Sequence, residues 1–211
     1  MYTVDDYLEF VNSHPEYYPP IKGVEYILEK EKILHYNESA DRQVGLRHTG
    51  QFNNFVVDLI TISGSAPTAY ERVIPSSSGA VTIVTKTNGK YLLLKQVRHI
   101  VGEIQLSFPR GFGESDINSS ANARKEIREE LGCECLNITK IGSLTPDSGL
   151  TAGRIEVFVT ELSEPSARSG HEGIIEYMLA SASEMDSMII SGEIDDGITI
   201  AAYYLEKLCS N

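Results

Sequence analysis

Three glutamates at i, i+3 and i+4, Glu126, Glu129 and Glu130, stand in the segment Ala123-Arg-Lys-Glu-Ile-Arg-Glu-Glu-Leu-Gly132. Ala123, Ile127 and Leu131 fall at i, i+4 and i+8, so a helix here turns an apolar stripe toward a core. At about 100° per residue the glutamates gather along one flank of that stripe, with Arg124 and Arg128 on the other. Carboxylates this close repel one another, by up to about 4 kcal/mol per pair at an effective dielectric near 20. A bound cation removes that penalty, and an all-oxygen cluster suits Mg²⁺ or Mn²⁺. A bare ExxEE also describes an ordinary solvated acidic face, so the pattern alone leaves both readings open. Asn118 or Ser119 offers the N-cap, and Gly132 stands where a left-handed residue closes a helix.

Upstream lies Phe108-Pro-Arg-Gly-Phe-Gly-Glu114. With Gly111 ahead of it, Lys125-Glu126-Ile127-x-Glu129-Glu130-x-Gly132-Cys133 resembles the Nudix box, G-x5-E-x7-R-E-U-x-E-E-x-G-U, where U is a bulky aliphatic residue. Gly111, Glu126, Ile127, Glu129, Glu130 and Gly132 match at the required spacings, and Cys133 is a small apolar stand-in. Ile117 stands in place of the first glutamate, Lys125 in place of the arginine, and Ser107 where relatives often carry a glutamate ahead of the proline. Lysine keeps the charge but loses the planar fork that grips carboxylates in two places. Glu114, in a glycine-flanked loop, is the candidate to restore the missing charge; otherwise it is a loop surface charge.

The resemblance extends from Ala80 to Leu208. Lys90–Leu94 followed by Lys95-Gln96-Val-Arg98, the Pro-Arg-Gly lead-in, the Pro146–Thr151 loop, Glu172-Gly-Ile-Ile-Glu176 and Gly192–Thr199 look like the ADP-ribose pyrophosphatase branch of that family. It implies an α/β (α+β) fold, a Nudix-type mixed β-sheet sandwiched between helices. It further implies metal-dependent hydrolysis of the pyrophosphate in ADP-ribose or a related nucleoside diphosphate sugar. Glu126, Glu129 and Glu130 become catalytic metal ligands for Mg²⁺ or Mn²⁺, with the Arg110 carbonyl and Glu114 as further ligands. Arg98 and Arg110 become substrate contacts, and Glu126 or Asp147 the general base. The N-terminal strands of that branch often build a dimer, which implies a homodimer here. The alternative, motivated by Ile117, Lys125 and Ser107, is a catalytically weakened Nudix-fold module that binds nucleotides or regulates.

Other residues weigh less. Arg98 reads equally as a salt bridge at a strand end. Tyr70, Tyr91 and Phe112 are candidates to stack a base, but aromatic residues in a sheet protein are more often core. His99 has no carboxylate or nucleophile pattern beside it, and Ser148-Gly149 sits in no nucleophile elbow. The chain has 211 residues, a net charge of −12 and no lysine- or arginine-rich run, which argues against nucleic acid and anionic membranes as partners. An acidic chain that handles a polyanionic nucleotide sugar needs bridging cations or local arginines. Three cysteines in no zinc-like pattern point to reduced thiols and a cytoplasmic location. No signal peptide and no membrane-length apolar run are expected.

Thr3 and Asp6 make a capping-box pair for a helix with Val4, Tyr7, Leu8 and Val11 on one face. Residues 17–20 read as extended, and Val24–Tyr36 as either strand or helix. Phe55–Ile62 reads as a strand, with a short segment at Tyr70–Ile74. Ala80–Lys86 and Tyr91–Val97 form a hairpin through Asn88-Gly89, and Gly102–Phe108 a further strand. Leu136–Leu144, Ile155–Glu161 and Ile174–Ala180 read as strands, Ala182–Ile190 and Ile198–Leu208 as helices. Strands on both sides of one helix, followed by terminal helices, predict a mixed sheet between helices. The expected division is 1–75, an N-terminal dimerisation segment, and 76–211, the Nudix domain.

Overall fold

The computed structural model describes residues 2–166 and 171–210. The helices are α1 (Val4–Ser13), α2 (Lys30–Ser39), α3 (Ser119–Leu131), α4 (Ala182–Ser191) and α5 (Gly197–Cys209). The strands are β1 (Val24–Tyr26), β2 (Gly45–Thr49), β3 (Asn53–Ile62), β4 (Thr68–Pro75), β5 (Ala80–Thr87), β6 (Lys90–Arg98), β7 (Glu103–Ser107), β8 (Arg110–Gly111), β9 (Thr139–Leu144), β10 (Ile155–Glu161) and β11 (Ile174–Ala180). The chain divides into two compact units. One is Met1–Ser76 with Asp147–Gly153, and the other is Ser77–Pro146 with Arg154–Asn211.

In the N-terminal unit β3, rich in β-branched residues, pairs antiparallel with β1, β2 and β4. The expected capping box forms at α1, where Thr3 and Asp6 satisfy each other's backbone N–H, and Tyr7, Phe10 and Val11 are buried. Asp58 on β3 is buried among them. Its Oδ1 accepts from the Tyr7 hydroxyl at 2.8 Å and the Tyr18 hydroxyl at 3.2 Å, and Oδ2 pairs with Arg72 of β4. The Arg72 guanidinium lies 4.5 Å over the Tyr18 ring. The ambiguous Val24–Tyr36 stretch resolves into β1 and then α2. Pro15–Tyr17 winds into a 3₁₀ turn, which takes Tyr17 out of the extended stretch expected over residues 17–20. Residues 147–153 join this unit through β4: Val73 N–H donates to Leu150 O at 2.8 Å and Ala152 N–H to Val73 O at 2.9 Å.

The second unit is built on a seven-stranded mixed sheet, order β11-β6-β5-β10-β9, with β7 added to β6 and β8 to β5. Among the described residues of this sheet only β5 and β10 pair in parallel. Asn88 and Gly89 both take positive φ, 51° and 73°, as a type I′ turn requires. Successive strand residues point to opposite faces, and here both faces are covered. Leu92, Leu94, Ile83 and Phe158 pack with Ala123, Ile127 and Leu131 of α3. Their neighbours Tyr91, Leu93, Val84 and Val157 pack with Met185, Met188, Ala202 and Tyr203 of α4 and α5. The largely apolar character of β5 and β6 thus follows from burial on two sides, and the sheet lies between helices as expected. Among the described residues no helix is long and apolar enough to cross a membrane.

Candidate active site

Asn118 caps α3, its Oδ1 accepting from Ala121 N–H at 2.9 Å, and Gly132 ends it with φ 62°. The helix turns its three glutamates to unlike environments. Glu126 is 8% exposed and Glu130 only 1%, whereas the Glu129 side chain is 41% exposed. β8 runs beside α3, and Gly111 on it leaves no room for a Cβ, which would collide with the Glu126 carboxylate. The box glycine and its glutamate are therefore in contact, and this ties their sequence spacing to geometry. Asn122 fixes the same loop, donating from Nδ2 to Phe112 O at 2.7 Å and to Gly79 O at 3.2 Å.

Burial pushes the Glu130 carboxyl up to about 8, and the charges of Glu126 and Glu172 add to it. Arg98 and the Arg110 backbone N–H oppose that rise. Burial likewise lifts Glu126 to about 7, against the pull of Lys125. Glu130 Oε2 is buried with no hydrogen-bond partner among the described residues. Two buried, mutually repelling carboxyls with an orphan oxygen make a site short of positive charge, and hard all-oxygen donors fit Mg²⁺ or Mn²⁺.

The third glutamate is engaged elsewhere. Lys125 Nζ lies 2.8 Å from Glu129 Oε2, 2.9 Å from Glu114 Oε1 and 3.9 Å from Glu126 Oε1. Its hydrogen bonds to the Glu129 and Glu114 carboxylates raise the lysine's pKa. Glu114 thus serves as a counter-ion to Lys125, and Ile117 is half-buried. Among the described residues no three Asp, Glu, His or Cys side chains converge into a ready metal cage.

Of the two arginines, Arg110 pairs through Nη1 with Asp196 Oδ1 at 3.1 Å. Asp196 caps α5, its Oδ2 accepting from Thr199 N–H at 2.9 Å, so the Arg110 guanidinium braces a helix start. Arg98 Nη2 donates to Ser107 Oγ at 3.2 Å, its Nε is buried without a partner, and no carboxylate pairs with it among the described residues. Burial and the neighbouring Arg110 lower its pKa. Among the described residues the Arg98 guanidinium is thus held by Ser107 and not by an ion pair.

Glu172, on the turn before β11, is the carboxylate that the motif spacing does not reveal. It is exposed, and its charge bears on Glu126, Glu130 and Arg98. Asp147 clusters with the N-terminal unit, and its Oδ1 accepts from Gly149 N–H at 2.8 Å. Tyr91 is buried with its hydroxyl on Glu206, whereas Tyr70 and Phe112 are exposed. Cys133 is buried against the α3 core and His99 lies at the surface.

Residues 75–182 match the family model for the NUDIX domain. The ADP-ribose pyrophosphatase of Bacillus subtilis (strain 168) is 26% identical over 163 residues, covering 74% of this chain and 87% of that protein. A solved structure described as an ADP compounds hydrolase matches with a TM-score of 0.67 at 15% identity, over 78% of this chain and 90% of its own; that likeness is one of fold. With the family match spanning more than half of its length, the chain belongs to the Nudix domain family, hydrolases that act on phosphorus-containing anhydrides.

Proposed function

We propose that the protein hydrolyses the pyrophosphate bond of ADP-ribose or a related nucleoside diphosphate sugar, releasing a nucleoside monophosphate and a sugar phosphate. The observation that carries this reading is the buried Glu126–Glu130 pair, with its orphan oxygen, beside the Arg98 guanidinium, which has no carboxylate partner among the described residues. The name of the Bacillus subtilis relative supports the substrate class. Glu126 and Glu130 would hold Mg²⁺ or Mn²⁺, joined by Glu129 once it leaves Lys125, with the Arg110 carbonyl as a further ligand. The bound ion would supply Lewis-acid stabilisation of the phosphate oxygens and an activated water. Arg98 would neutralise a substrate phosphate, since a half-buried guanidinium gains more from an anion than an exposed one. Glu172, exposed and close in charge to the cluster, would take the proton of the attacking water.

The test is to incubate pure protein with ADP-ribose and sugar nucleotides, with Mg²⁺ or Mn²⁺, and to assay for AMP and sugar phosphate. Turnover abolished by Glu130→Gln supports the reading. Tight binding without turnover would overturn it in favour of a nucleotide-binding module, which the Lys125–Glu129 contact and Ile117 favour. Cytoplasmic residence and a homodimer through the N-terminal unit complete the proposal, and sedimentation equilibrium tests the dimer.

A further inference from the structure

β6 turns Leu92 and Leu94 into the core under α3, and the same row continues through Gln96 to Arg98. Gln96 is thus placed by strand alternation at the border between the apolar core and the acidic site. It is 2% exposed, and its Nε2 donates to the backbone carbonyl of Glu172 at 2.7 Å. Its Oε1 is buried with no partner among the described residues. A residue of the same shape without polar atoms would avoid that unmet acceptor, so what glutamine contributes here is the single donor.

The backbone that it grips is unusual. Glu172 has φ 46° and ψ 32°, left-handed values that non-glycine residues seldom adopt and that cluster at functional sites. Gly173 follows with φ 79°, and a Cβ there would meet Val97 O at 3.2 Å. Ile174 then pairs with Gln96, and the β11–β6 register slips between Ile174 and Glu176. Two consecutive left-handed residues are thus held against Gln96 and Val97 at the start of β11.

We propose that Gln96 is a positioning residue: its amide holds the Glu172 carbonyl, and with it the left-handed turn that presents the Glu172 carboxylate to Glu126, Glu130 and Arg98. A buried amide that only closes a strand end would stabilise β11 without affecting chemistry. The catalytic consequence rests on the proposed pyrophosphatase reading; the clasp itself does not.

The test compares wild type, Gln96→Met, Glu172→Gln and the double variant. Gln96→Met keeps the shape and removes both the donor and the orphan oxygen. Its melting temperature should therefore stay near that of wild type while kcat falls roughly 10- to 100-fold at a KM within a few-fold, the scale of a displaced catalytic group. The double variant should be no slower than Glu172→Gln alone, because both changes act through one carboxylate. Amide exchange at residues 172–174 in Gln96→Met should rise about tenfold as the turn loosens. Additive losses in kcat, or unchanged exchange, overturn the proposal. If wild type turns over no substrate, the pyrophosphatase reading fails, and the exchange rates alone decide the clasp. Should Gln96→Met not fold, Gly173→Ala carries the test. It forces the same turn with the amide intact and should reproduce the kcat loss, whereas an unaltered kcat would count against any role for the turn.

Discussion

Glu130→Gln removes the more deeply buried carboxyl of the site while keeping its shape. In metal-free protein, burial holds the Glu130 carboxyl up at about 8, against 4.5 for an unburied glutamate. The folded value lies above the unfolded one, so folding favours the protonated form. The stability from this group is full below pH 4.5 and is lost as pH rises through about 8. Each pH unit in that window costs roughly 1.4 kcal/mol. By pH 7 the loss amounts to about 3 kcal/mol, or roughly 6–12 °C in melting temperature for a chain of this size. Glu126, lifted to about 7, shifts stability in the same direction. Thermal melts in EDTA from about pH 5 to about pH 8.5 measure this directly. Wild type should lose ground to Glu130→Gln steadily as pH rises. Mg²⁺ should then restore wild type at high pH, by about 1.4 kcal/mol at ten times its Kd, and leave the variant unmoved. Two pH curves that stay parallel in EDTA would refute the claim that a buried charge sits at this position.

Gly111→Ala should displace the Glu126 carboxylate, lowering metal affinity and costing about 1–3 kcal/mol of stability from overpacking; isothermal titration with Mn²⁺ and thermal melts check both. Arg98→Lys should raise KM for a nucleoside diphosphate sugar while leaving Mn²⁺ affinity near that of wild type, because a point charge replaces a fork that meets phosphate oxygens in two places. Equal damage to metal binding would point instead to misfolding around β6. In the N-terminal unit, Arg72→Met leaves Asp58 buried without its cation and should cost about 3–5 kcal/mol, read as a lowered melting temperature. An unchanged melt would mean that the Tyr7 and Tyr18 hydroxyls suffice.

Much of the fold was legible because its determinants are local. Alternation and apolar runs mark β5, β6, β10 and β11, the Asn88-Gly89 pair demands its hairpin, and the i, i+4, i+8 stripe places α3 against a core. β2 escaped notice because Gly45–Thr49 is short and mostly exposed, with no alternation to betray it. The box spacing singled out Glu126, Glu129 and Glu130, since a helix carries residues three and four apart to one side. Periodicity could not tell that Glu129 would turn to Lys125 while Glu130 was buried, because that choice depends on what packs against each flank.

The chemistry-bearing helix, its glycine loop and its resemblance to one hydrolase family were therefore properties of sequence alone, set by interactions that reach only a few residues. Four features belonged to the tertiary structure: the burial that lifts Glu126 and Glu130, the orphaned Glu130 oxygen, the engagement of Arg110 by Asp196, and the arrival of Glu172 and Gln96 beside them. Each arises between groups distant along the chain, or from the removal of water around them. Desolvation and long-range Coulomb forces have no value until the fold assigns every group its neighbours.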